Sequence, residues 1–114
     1  MNKNVKAPIH PGEILADELE CLGMNAAQLA KKIGVPNNRV YQIINEERGI
    51  TADTAMRLSL FFGTSPHFWL NLQKSYELDV VSQDLSCFKD IQPYAHMLPG
   101  NRVGNLRLSK ANEI

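Results

Sequence analysis

The feature that most constrains this chain is a break of only three residues, Gly34-Val35-Pro36, between two amphipathic segments. Before the break, Leu29, Ala30 and Ile33 share one face at helical spacing. After it, Val40, Ile43 and Ile44 do the same, over roughly 37–46. So short a turn containing glycine cannot carry one helix straight into the next. It forces the two to pack at a steep angle, which is the helix-turn-helix signature. Ala30 stands where the helices approach and only a small side chain fits. Gly34 stands where the turn calls for positive φ. Leu29, Ile33 and Val35 are apolar beside them, and Val40 and Ile43 tie the second helix to a core. A helical hairpin with no nucleic-acid role shares part of this pattern.

The flanking sequence also reads as helices. His10-Pro11-Gly12-Glu13 is a helix start, with proline at the first position and an acid near the positive end of the dipole. Leu15, Leu19 and Leu22 form its stripe, and Gly23 stops it. Asn25 caps the second helix, with Gln28 as its capping-box partner. Thr51 caps a fourth, with Asp53 in its first turn, Ala55, Leu58 and Phe62 inward, and Gly63 at its end. Ser65-Pro66 opens a fifth, reaching about Leu78, with Phe68, Leu72 and Tyr76 as its inner face. Val80-Val81, Leu85, Phe88 and Ile91 suit a short helix or a docked extended piece. From Met97 no stripe remains, and the segment reads as a tail. The expected fold class is all-α with five helices. A flexible arm spans 1–9, the helical domain 10–79 and a C-terminal extension 80–114.

Composition narrows the function classes. A length of 114 residues suits one domain, and 44% hydrophobic with 21% charged residues excludes disordered and collagen-like chains. Apolar runs such as Leu60-Phe61-Phe62 are far too short to span a bilayer, and no signal-peptide pattern is present. Cys21 and Cys87 are too few for a disulfide scaffold or a four-cysteine metal site, and read as reduced thiols of a cytoplasmic protein. No H-E-x-x-H, C-x-x-C or glycine-rich phosphate loop occurs, and His10, His67 and His96 are isolated. Neither catalysis, nor a metal, nor a cofactor is expected.

Net charge is zero, which by itself argues weakly against a nucleic-acid partner. The distribution says more. Over 25–57, Lys31, Lys32, Arg39, Arg48 and Arg57 face only Glu46, Glu47 and Asp53. With Val40 and Ile43 inward, the outer face of the third helix holds Asn37, Asn38, Tyr41, Gln42 and Asn45. Side-chain amides both donate and accept, which matches the N6/N7 edge of adenine in the major groove. A plainly solvated helix more often shows Glu and Lys there; the bland alternative makes Asn37 a cap and the rest surface filler. Phosphate contacts are expected from Asn25, Gln28 and Thr51 at helix N-termini and from the cations Lys32, Arg39 and Arg48. On the fifth helix, Leu70 falls about 200° from Phe68, off the inner stripe, which suggests a second packing partner on that side. Trp69, about 100° away, is either core or part of that second contact.

Three motifs in order carry a family resemblance: His10-Pro11-Gly12-Glu13-Ile14-Leu15, Arg48-Gly49-Ile50-Thr51-Ala52-Asp53-Thr54-Ala55 and Phe68-Trp69-Leu70-Asn71-Leu72-Gln73. Over about residues 8–79 the chain resembles the HigA-type antitoxins of the XRE, lambda-repressor-like group, also labelled virulence-associated protein I. The resemblance implies a five-helix DNA-binding domain. It also implies a homodimeric repressor of its own operon, with Leu70 and Trp69 of the fifth helix at the dimer interface, acting on an inverted-repeat operator in double-stranded DNA. The implied protein partner is a small RelE-like ribonuclease toxin, neutralised by binding. Tyr76-Glu77-Leu78 departs slightly from the more usual Tyr-Asp-Leu, and the resemblance fades beyond Val80. Two other readings remain open at this point: a toxin-sequestering module that does not read DNA, and a free-standing regulator without a toxin.

Overall fold

The computed structural model describes residues 7–94. The first six residues of the expected arm, and the expected tail from Met97, lie outside the described residues. The chain divides into two compact units, Met1–Gln83 and Asp84–Ile114.

The first unit holds five helices: α1 (Pro11–Leu22), α2 (Ala26–Ile33), α3 (Asn37–Ile44), α4 (Ala52–Phe62) and α5 (Pro66–Ser82). No strand occurs among the described residues, so the all-α expectation holds. Local chemistry sets the helix boundaries. His10 Nδ1 accepts from Gly12 N at 2.9 Å and starts α1. Asn25 and Gln28 form a reciprocal capping box on α2, with both bonds at 2.8 Å. Thr51 and Ser65 cap α4 and α5 through their hydroxyls. A side-chain N-cap of this kind stabilises a helix by about 1 kcal/mol. Gly34 ends α2 with φ 75°, the left-handed conformation that the turn required.

The core lies between all five helices. Leu15, Leu29, Val40, Ile43, Leu58 and Trp69 are its largest fully buried apolar side chains, and Ala30 is completely enclosed. Trp69 directs its indole N–H to Thr64 Oγ1 at 2.9 Å, so its one polar atom is satisfied.

The sequence expectations need four corrections. α3 stops at Ile44, because Asn45 leaves the helix and Glu46 takes φ 65°. α5 passes Leu78 and runs to Ser82, whose hydroxyl donates back to Leu78 O. Leu22 is exposed, so the stripe of α1 ends at Leu19. The buried residues of α5 are Trp69 and Gln73, while Phe68 is exposed. Its inner face is therefore centred about 80° from the Phe68–Leu72–Tyr76 stripe, and Leu72 still packs against the core.

In the second unit, the described residues form one 3₁₀ turn, Ser86–Phe88, after Asp84. Asp84 Oδ1 accepts from Ser86 N at 3.0 Å, and this bond holds the Asp84 carboxyl below its ordinary range.

Candidate nucleic-acid interface

The candidate surface is built on α3. Val40 and Ile43 are buried to 1% and fix the helix by its inner side. At about 100° per residue, Asn37, Tyr41, Asn45, Asn38 and Gln42 then fall within an arc of about 140° opposite them. Asn37, Asn38, Tyr41 and Asn45 are exposed and Gln42 is half-buried. The N-cap of α3 is Pro36, with no side-chain cap, so Asn37 is a helical residue whose amide does not cap the helix. Tyr41 and Asn45 also border a shallow apolar groove of about 310 Å³ with Leu19, Met24, Ala26 and Ile44.

What holds α3 in place begins at the start of α1. A β-carbon at Gly12 would lie 1.9 Å from Ile43 O, so the backbones of α1 and α3 touch there. No other residue permits that approach. Gly12 thereby seats the exposed helix directly on the first.

The loop from Asn45 to Thr51 is fixed at both ends. Glu47 N donates to Gln42 O at 2.8 Å and closes the end of α3. Ile50 N donates to Gln73 Oε1 at 2.7 Å, and Gln73 Nε2 donates to Glu77 Oε2 at 2.8 Å. Between these anchors Arg48 Nε donates to Gln42 Oε1 at 2.9 Å. Hydrogen bonds from Gln73 first, then Lys74, hold the Glu77 carboxyl below its ordinary range.

The phosphate candidates divide. Asn25 and Gln28 use their oxygens on backbone N–H groups, which leaves their amide nitrogens as outward donors at the start of α2. The Thr51 hydroxyl is engaged with Thr54, so its contribution to an anion site would come from the backbone at the start of α4. Arg39 is half-buried and Arg48 exposed, both beside the α3 face. Lys32 lies at the other end of α2 from the capping box, in a depression with Ile33, Arg57, Leu60 and Phe61.

Trp69 corrects one expectation: at 1% exposure it is core of its own chain and has no surface to offer a second copy. Leu70 is half-buried and packs against the core, because the face of α5 is rotated. The exposed apolar residues of α5 are Phe68, Leu78, Val80 and Val81.

Two structural residues escaped the sequence reading. Arg57 Nη1 donates to Ile33 O at 2.8 Å, satisfying a carbonyl at the end of α2, while Nε pairs with Asp53 at 2.8 Å. The i,i+4 spacing of Asp53 and Arg57 was the available signal. Gln73 is 7% exposed, and only the correct rotation of α5 would have marked it as a buried polar group needing partners.

Comparison with known proteins adds the family. Residues 15–69 match the helix-turn-helix family HTH_3. Virulence-associated protein I of Dichelobacter nodosus is 46% identical over 92 residues, covering 80% of this chain and 85% of that one. A solved addiction module antidote protein of the HigA family from Coxiella burnetii is 52% identical. It superimposes with a TM-score of 0.74 over 78% of this chain and 100% of that one. The antitoxin HigA of Pseudomonas aeruginosa, solved with the higBA promoter, is 42% identical, with a TM-score of 0.72 over 76% of this chain and 98% of that one. A chain with this fold, this capped turn and these relatives belongs to the XRE-type helix-turn-helix family, among the HigA-type antitoxins and virulence-associated protein I relatives.

Proposed function

We propose that this protein is a cytoplasmic, homodimeric antitoxin that reads the operator of its own operon through α3 and neutralises a RelE-like ribonuclease toxin by binding it. It carries out no catalysis. The observation that carries the DNA reading is the amide-rich outer face of α3, held rigidly by Val40, Ile43 and the Gly12 contact. Relatives of the same fold have been solved with operator or promoter DNA. Asn37 and Asn38, at the N-terminal end of α3, enter the major groove; Tyr41, Gln42 and Asn45 complete the base contacts. Asn25, Gln28, Arg39 and Arg48 contact phosphates around the helix, with Thr51 acting through backbone N–H groups and Lys32 as an outlying cation.

One small domain of zero net charge makes few phosphate contacts, so useful affinity calls for two copies. A two-fold dimer joined through α5 sets two α3 helices on inverted half-sites about 34–36 Å apart, or a multiple of that. Leu70 and the exposed Leu78 and Val81 supply its apolar surface.

The experiment is footprinting on the DNA upstream of the protein's own reading frame, with co-expression of the neighbouring short reading frame. Protection of an inverted repeat, and a complex with a basic ribonuclease that loses its activity, is the expected result. A complex without protection leaves only sequestration; protection without a toxin partner leaves a free-standing regulator.

A further inference from the structure

Of the outward side chains on α3, one is already committed. Gln42 Oε1 accepts from Arg48 Nε at 2.9 Å. Arginine has five donors and no acceptor, so this bond forms only with the amide oxygen turned toward Arg48. The Gln42 amino group is thereby turned away from it.

The loop that carries Arg48 is held on both sides. Glu47 N donates to Gln42 O, and Glu46 takes the left-handed conformation that brings the chain back over the end of α3. Ile50 N is bonded to the buried Gln73, which Glu77 fixes in turn. The backbone of Gln42 therefore anchors the loop, and the loop's arginine orients the side chain of Gln42.

This changes what Gln42 can read. A free glutamine donates through Nε2 and accepts through Oε1, the complement of adenine N6 and N7. With its oxygen turned to Arg48 and one of its two lone pairs taken there, Gln42 presents mainly its N–H donors, and the Arg48 Nη groups are donors too. The matching base edge carries two acceptors, O6 and N7 of guanine. We propose that Gln42 and Arg48 act as one reading unit that selects guanine over adenine in the major groove, with Arg48 as the residue that positions the amide. This rests on the placement of α3 argued under Proposed function. It adds a base identity and turns Arg48 from a phosphate contact alone into a specificity determinant.

The test uses the full-length protein and its footprinted operator, with every base pair replaced in turn by the other three. Binding is measured for wild type, Gln42→Ala, Arg48→Met and the double variant. The base pair whose preference disappears in Gln42→Ala is the one that Gln42 reads. Wild type should prefer guanine over adenine there by about tenfold, the scale of one good bidentate contact. Arg48→Met should bring that ratio below about twofold or reverse it, leaving preferences at other base pairs unchanged. In the Gln42→Ala background, Arg48→Met should lower affinity evenly for all four bases, which isolates the pairwise coupling. Gln42 is half-buried and Arg48 exposed, and an unfolding midpoint equal to that of wild type shows that the variants are folded. Preference for adenine in wild type overturns the proposal. So does an even loss across all bases in Arg48→Met with the guanine preference intact. If wild type binds selectively but Gln42→Ala changes no preference, the pair is not a reading unit. If wild type shows no sequence selectivity at all, the DNA reading under Proposed function fails as well.

Discussion

At Gly12 a single missing β-carbon decides where α3 sits. Alanine normally favours a helix over glycine by up to about 1 kcal/mol. Here the added carbon would stand 1.9 Å from Ile43 O, a backbone atom that cannot swing aside. The clash outweighs the propensity gain, and Gly12→Ala should lower stability by about 1–3 kcal/mol. The displacement it forces falls on α3, so operator affinity should fall further than lost stability explains. Thermal unfolding and operator titration on the same sample check both; a variant as stable and as tight-binding as wild type would show that the helices can part without consequence. The sequence carried the helix-start role of His10-Pro11-Gly12-Glu13, because proline and cap chemistry are local. It could not carry the contact with Ile43, which pairs residues distant in the chain.

Among the elements, α2 and α3 were legible and α5 was not. α2 announces itself through Asn25, Gln28 and Gly34, all of which act within one turn of a helix end. α5 has apolar residues on several sides, so its periodicity admits more than one rotation: Leu72 and Tyr76 of the expected stripe do pack inward, while Phe68 is exposed. The inner face includes Gln73, a residue that reads as exterior until its partners are known. Gln73 joins α5 to the loop beside α3, and Glu77 completes the link. The Glu77 carboxyl is held below its ordinary pKa. A depressed acid contributes stability above its unfolded pKa, about 4.3, and loses it as pH falls through the lower folded value. Glu77→Gln keeps an acceptor for Gln73 but cannot titrate. Its unfolding temperature should therefore fall less steeply than that of wild type as pH is lowered through this acid range. Parallel curves would show that Glu77 does not sense the fold.

At the level of the whole molecule, the proposed dimer through α5 can be tested at its apolar residues. Leu70 and Leu78 separate two effects. Leu70 packs on the core, so Leu70→Glu should destabilise the chain by about 1–3 kcal/mol whatever its effect on the dimer. Leu78 is 65% exposed, so Leu78→Glu should leave the helical fold of the single chain intact while placing a charge in the proposed α5 interface. Sedimentation should show Leu78→Glu as a folded monomer with weakened operator binding. A tight Leu78→Glu dimer would put the interface elsewhere, with residues 80–114 the next candidate.

In the proposed function the outer face of α3 reads base sequence. The direct measurement is a binding titration of wild type and Asn38→Ala on the native operator, on single-base-pair variants of it and on unrelated DNA. Asn38 is exposed and makes none of the contacts that fix α3, so the fold is not at stake. Asn38→Ala should lose about 1–3 kcal/mol on the native operator, confined to cognate DNA, with discrimination relaxed at one base pair in each half-site. Unchanged discrimination at every base pair, with affinity equal to wild type on the native operator, would contradict that reading of α3.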